Sequence, residues 1–419
     1  MSATSDTAPL HDTRPRAGTR AYRRTVVAMV AAAVATFAQL WSVQPILPAI
    51  ATGFDASAAE AALAASLATG GLAGFTLVWG GVADRIGRAR VITLSLLVAT
   101  LLGCLAPLAA DLPVLLVVRV LQGAALGGVP AAAVAYLAEE IHPLDAPRAT
   151  GLYIAGNPLG GMGGRLLAGF AADLGGWQWG IAANTLLGVL ALTVFVLVLP
   201  RRRGSDDRAP DRGAAPRPSG RLRAALTTRG LPALYAQALL LMGAFMTVYN
   251  LLGFRLVQDF GLSQSAASLL FLAYTAGMLG SAVAGAATVR WGGYAVLLAA
   301  SALMAVGLSG LVTTSLVALA ATLLVLTFAF FAAHATASAW VGRRAVAGRA
   351  RAMAVYTLAY YLGASLFSWC GGLVYDAAGW GGAVAYALGL VALAALVALR
   401  LRRLPDPAGG TASTGEGRA

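Results

Sequence analysis

Carboxylates, cysteines and lysines are what this sequence lacks. Only 11% of its 419 residues are charged, two are cysteine, three are histidine, and all 30 basic residues are arginine. The two cysteines, Cys104 and Cys370, both fall inside apolar stretches, which excludes a disulfide framework and a cysteine-rich metal centre. No Asp or Glu stands near the middle of any long apolar run, and no carboxylate cluster or nucleophile marks the end of one. An integral-membrane enzyme such as a lipid transferase would need such a group, so no catalytic residue, metal ligand or cofactor is expected. So little charge also excludes a soluble domain, because 59% of the residues are hydrophobic, 50 are glycine and the mean hydropathy is +0.76.

What is there instead is a succession of apolar runs, each about 20 residues long and so able to cross a hydrocarbon layer about 30 Å thick as a helix. Twelve are read, over 25–50, 58–81, 91–109, 114–137, 149–172, 178–199, 231–253, 266–288, 294–313, 316–339, 352–374 and 381–399. The expected fold is therefore all-α and integral to the membrane. The first run is about 26 residues and lacks a small-residue cleavage site, which argues for a span and against a signal peptide.

The arginines orient these spans, since basic residues gather in cytoplasmic loops. With a cytoplasmic N-terminus, 27 of the 30 lie on the inner side, Arg119 and Arg165 fall within spans, and only Arg255 lies outside. The outer side holds Asp55, Glu60, Asp111, Asp173, Asp259 and Asp376. The net charge of +13 follows from this topology and from attraction to anionic lipid, so no nucleic-acid partner is expected.

The chain also divides. A tail over 1–24 precedes six spans within 25–199, a Pro-, Gly- and Arg-rich linker occupies 200–230, six more spans fill 231–399, and a second tail covers 400–419. Residues 1–20 and 405–419 read as disordered. The two six-span halves repeat one another. An offset of 203 pairs Arg148 with Arg351, Tyr153 with Tyr356, Gly160 with Gly363, Gly169 with Gly372, Asp173 with Asp376 and Trp177 with Trp380. An offset of 206 pairs Ser57 with Ser263, Gly71 with Gly277, Gly74 with Gly280 and Gly87 with Gly293. Parallel repeats of this kind suit a transporter whose site lies between two rocking halves.

Residues Gly71 to Arg88 follow the pattern G-x8-G-x3-D-R-x-G-R, formed by Gly71, Gly80, Asp84, Arg85, Gly87 and Arg88. This resembles the loop 2–3 signature of the major facilitator superfamily. The resemblance implies a twelve-helix fold of two pseudo-symmetric halves and a gating loop that latches the cytoplasmic side during alternating access. In the second half Arg290 stands opposite Asp84, so the latch is expected to be asymmetric. "LLVVRVLQGAALGG", Leu115 to Gly128, is similar to the span 4 signature of that superfamily, whose Arg, here Arg119, is associated with proton coupling. Arg119, Gln122, Leu126 and Pro130 share a helical face, which reads as a polar cavity wall. "GNPLGGMGGR" in span 5 resembles the signature of antiporters, with Asn157 where a glycine is expected. Gly156, Gly160 and Gly164 form a four-spaced stripe, and Pro158 disposes to a kink. Gly277, Ser281 and Gly285 in span 8 have the same spacing, and the two stripes are expected to meet across the halves.

In this superfamily spans 1, 4, 7 and 10 line the central path. Span 1 offers Gln39 and Trp41, span 7 offers Met242, Met246, Tyr249 and Asn250, and span 10 offers Phe331, His334 and Ser338; Tyr356 and Tyr360 come from span 11. His334, titratable in mid-span, is a candidate for proton coupling with Arg119 as its electrostatic partner; Arg165 and the peripheral Glu60 are the other candidates. Without a central carboxylate the substrate is expected to be neutral or anionic. The sequence resembles the bacterial drug:proton antiporter group and its sugar-efflux relatives. That implies a monomeric, proton-coupled exporter of small organic compounds in a bacterial inner membrane, both termini cytoplasmic. Import of a small organic anion with a proton is the alternative, and a lipid-modifying enzyme is disfavoured.

Overall fold

A computed structural model describes residues 14–199, 225–345 and 348–402. Helices make up nearly all of it, as hydrocarbon demands, because within lipid a helix satisfies its own backbone. Ten segments are long and apolar enough to cross a membrane: α1 (Arg20–Phe54), α2 (Ala58–Ile86), α3 (Arg88–Leu108), α4 (Leu112–Glu140), α6 (Trp177–Val198), α7 (Leu231–Asp259), α8 (Gln264–Trp291), α9 (Gly293–Gly310), α10 (Leu316–Arg344) and Arg349–Leu401. Glycine-rich α5 (Ala146–Gly175) adds another, less apolar helix. Arg349–Leu401 turns back at Gly379 into α11 (349–378) and α12 (380–401). Twelve spans result, each at the place the hydrophobic runs predicted and most of them about a turn longer. The chain enters and leaves at one end of the bundle, here the near end; the other is the far end.

The repeat is visible in the backbone. The α5–α6 corner turns on Gly176 (φ 79°, ψ −174°) and the α11–α12 corner on Gly379 (φ 65°, ψ −165°), conformations that a side chain would strain. The α2–α3 corner turns on Gly87 (φ 91°, ψ 146°) and the α8–α9 corner on Gly292 (φ 81°, ψ 153°). The sequence pairing of Gly87 with Gly293 is thus corrected by one residue, because backbone geometry, not identity, defines the corner.

The small-residue stripes do not meet across the halves. A Cβ on Gly156, Gly160 or Gly164 would strike Ala33, Val34 or Ala38 of α1, so the α5 stripe lets two helices of the same half touch. Gly277 and Gly280 face Phe331 and Phe328 of α10, Ser281 Oγ lies 3.5 Å from the Phe331 carbonyl, and Gly285 faces open space. The stripes serve packing within each half, where close backbone approach gives helices dispersion contact that lipid cannot offer. α5 continues through Pro158 as one helix. Leu101, Leu121, Leu190, Val306 and Leu396 are among the apolar side chains left exposed on the bundle, the surface a lipid bilayer covers.

The N-terminal tail is ordered from residue 14, against the expectation of disorder through 20. Asp145 before α5 accepts Arg16 Nε at 2.8 Å and the Ala17 N–H at 3.1 Å, and His142 N–H bonds the Pro15 carbonyl. The Ala17 amide, with the Arg16 guanidinium, holds the Asp145 carboxyl below its ordinary range. The linker expected at 200–230 and the tails lie largely outside the described residues.

Candidate functional site

The site begins with a break in α1. Its first segment ends at Trp41, ahead of Pro45 and Pro48, which leaves carbonyls near the break without helical donors. Arg119 of α4 takes them: Nη1 bonds Gln39 O at 3.1 Å, Nη2 bonds Leu40 O at 2.7 Å, and Nε reaches Ala64 O of α2 at 3.1 Å. Gln122 accepts from Arg119 Nη1 and donates to Gln39 Oε1 and Ala99 O. Arg119, Gln122 and Gln39 are all buried inside the first half, so the cavity wall expected of them is instead an internal pin joining α1, α2, α3 and α4. Helical periodicity identified the shared face correctly, but not what it faces.

Past the break, Gln44 stands between the halves. Its Nε2 donates to Asn250 Oδ1 of α7 at 2.5 Å and lies 3.7 Å from Met246 Sδ, while its Oε1 accepts from Arg165 Nε of α5 at 2.6 Å. Asn250 Nδ2 donates to Ser368 Oγ of α11, which lies 2.9 Å from Ser66 Oγ of α2. The sequence reading missed Gln44, Ser66 and Ser368; Gln44 beside proline in "SVQPILP" was the available signal.

Arg165 is 1% exposed and bridges the halves. Its Nη1 bonds Gly161 O at 2.8 Å and its Nη2 bonds Tyr274 Oη of α8 at 3.2 Å. The guanidinium lies over the rings of Trp41 (4.7 Å), Tyr274 (4.6 Å) and Phe271 (5.2 Å). Asn157, about two turns earlier on α5, is half-buried, and its Oδ1 has no hydrogen-bond partner. Tyr249, expected on a cavity wall, is fully buried with its hydroxyl 2.6 Å from Thr327 Oγ1, within an aromatic core that includes Phe245 and Tyr274.

His334 lies in the second half. Its Nδ1 is 3.0 Å from Tyr356 Oη, and its ring is 4.7 Å from that of Tyr360. A small cavity there is also lined by Gln237, whose buried Oε1 is unpartnered. The structure brings Tyr356 and Tyr360 to His334 but not Arg119, four of whose five donors are used inside the other half. Glu60 closes a capping box on Ser57 at the exposed start of α2.

At the far end, two aspartates tie the halves. Asp376 of α11 accepts the first N–H groups of α2, from Ala58 and Ala59, both at 3.1 Å. Asp173 of α5 accepts those of α8, from Gln264 at 2.9 Å and Ser265 at 3.0 Å. Ser57 and Ser263 cap the same two helices. Gly372 and Gly169, one turn before each aspartate, permit the approach: a Cβ on either would sit 2.8 Å from Ala59 Cα or from Gln264 O respectively. Sequence reading paired these residues as a repeat and assigned them no role.

Toward the near end the partners differ. Gly74, Gly80 and Gly81 of α2 face open space, whereas Gly71 packs on the Val120 backbone of α4. Asp84 and Arg85 are exposed, and Arg88 pairs with Glu139 of α4. Two six-helix halves tied around a polar interface define a membrane carrier.

The sequence profile of the Major Facilitator Superfamily matches residues 29–345 and 252–418. The chain is 36% identical over 416 residues to the inner membrane transport protein YnfM of Escherichia coli, covering 96% of this chain and 98% of that one. It is 31% identical over 387 residues to the uncharacterized MFS-type transporter YybF of Bacillus subtilis, covering 92% and 94%. Among solved structures, a bacterial homolog of the human lysosomal transporter Spinster, inward-facing and occupied, matches with a TM-score of 0.74 at 18% identity, covering 92% and 98%. The xylose transporter XylE of Escherichia coli, in a partially occluded inward-open conformation, matches at 0.70 with 16% identity, covering 94% and 100%. The chain belongs to the Major Facilitator Superfamily, and it is a transporter and not an enzyme.

Proposed function

We propose that this transporter works by alternating access as a proton-coupled exporter of small neutral or anionic organic compounds. The observation that carries the reading is the pair of Asp–helix ties, Asp173 to α8 and Asp376 to α2, at one end of the interface between the halves. Equivalent ties on equivalent helices can open together, which is what rocking of two halves requires. The arginine asymmetry supports a cytoplasmic near end and cytoplasmic termini, and on this reading the far-end ties belong to a state closed on the outer side. In that state the loop 2–3 latch is disengaged, in keeping with an exposed Asp84.

Export draws support from the span 5 signature and from a match, 34% identical over 126 residues, to a Mycobacterium tuberculosis multidrug resistance protein B homolog. Import of an organic anion with a proton is the second reading, favoured by Arg165 at the interface. Flux of a compound library into proteoliposomes, with and without an imposed pH gradient, tests both. We expect His334→Gln to lose pH dependence, Glu60→Gln to keep it and Asp84→Asn to slow flux at normal protein level. Normal pH dependence in His334→Gln with loss in Glu60→Gln would transfer the proton to the carboxylate.

A further inference from the structure

Arg165 is a buried cation that forms no ion pair among the described residues. Its hydrogen-bond partners, Gln44, the Gly161 carbonyl and Tyr274, are all uncharged. A lone charge in a low-dielectric interface is costly, and interior cations are ordinarily paired. The guanidinium carries five N–H donors in one plane. Three are used, one on Nε to Gln44, one on Nη1 to Gly161 and one on Nη2 to Tyr274. Trp41, Tyr274 and Phe271 lie against its faces, fixing the plane without occupying an edge donor. One N–H therefore remains on each terminal nitrogen. Two N–H donors on one guanidinium can serve the oxygens of a carboxylate.

Arg165 is also placed where a carrier needs its ligand. It touches α1 through Gln44 and α8 through Tyr274, so whatever neutralises it acts on the joint between the halves. The half-buried rings of Phe331 and Tyr360 lie beside this joint, an apolar flank for a ligand body.

We propose that Arg165 is the anion-recognition residue of the transport site, taking the carboxylate of a small aromatic or apolar organic acid on its two unused N–H groups. The inference rests on the carrier reading and narrows its substrate class from neutral or anionic to anionic. The neighbours work by exclusion as well: a cation meets a fixed like charge, and a neutral isostere leaves the guanidinium uncompensated.

The test compares three ligands of one shape and different charge, benzoate, benzamide and benzamidine, on the purified full-length protein in detergent, read as the shift in melting temperature. Benzoate is expected to raise it by several degrees, with neither of the others doing so. Arg165→Lys should bind benzoate at least tenfold more weakly and Arg165→Gln not at all. No shift with benzoate, equal shifts with all three ligands, or a full shift in Arg165→Gln would overturn the proposal. The comparison of ligands on the unaltered protein stands even if Arg165→Gln fails to fold. It involves no flux and no movement of the halves, so a failure here leaves alternating access untouched.

Discussion

Arg119 and Arg165 are the same residue type at similar depth, and their surroundings give them opposite tasks. Arg119 meets backbone carbonyls of two helices together with Gln122, and its charge is absorbed by a ring of oxygens inside one half. Removing it strands those acceptors, at about 1–3 kcal/mol for each one left without a partner. Arg119→Met is therefore expected to lower the melting temperature of the detergent-solubilised protein by about ten degrees or more, while molecules that do fold keep the wild-type pH dependence of flux. A well-folded Arg119→Met with altered pH dependence would return this residue to the coupling role that its motif suggested. No sequence pattern separates the two arginines, because the distinction depends on a helix break far away in the chain, 79 residues from Arg119 to Leu40 and 121 from Arg165 to Gln44.

Helices were the legible part. Apolar runs placed all twelve, since hydrocarbon thickness dictates length and admits few alternatives. The pairing of helices was not legible. The Gly156–Gly160–Gly164 stripe announces close contact but not with which neighbour, because any small-residue face fits any other. The repeat carried more than was taken from it: Gly169 with Asp173 and Gly372 with Asp376 are equivalent Gly-x3-Asp pairs, and both tie a helix start in the opposite half. A carboxylate against a helix N-terminus contributes about 0.3–1 kcal/mol, more when partly buried. Losing both should shift the balance of states by about 3- to 30-fold. Spin labels at the exposed far-end residues Thr52 and Thr314 should accordingly show a longer distance gaining population in Asp173→Asn/Asp376→Asn. An unchanged distance distribution in that variant would remove the ties from the gating mechanism.

At the scale of the whole molecule the bare guanidinium of Arg165 has an electrical consequence. A unit charge crossing the whole field feels about 2.3 kcal/mol per 100 mV. When access to the site switches from one side to the other, the portion of field that falls across Arg165 switches with it. On the proposal that Arg165 takes the substrate's carboxylate, the empty site reorients with an uncancelled positive charge at Arg165, which the bound carboxylate cancels in the loaded carrier. A membrane potential should therefore set the rate at which the unloaded protein resets and leave the loaded step alone. In vesicles clamped with potassium and valinomycin, net flux should respond steeply to voltage and exchange at saturating substrate on both faces should not. With no carboxylate near the middle of a span to balance Arg165, the empty protein, not the occupied one, is on this proposal the voltage sensor of the cycle.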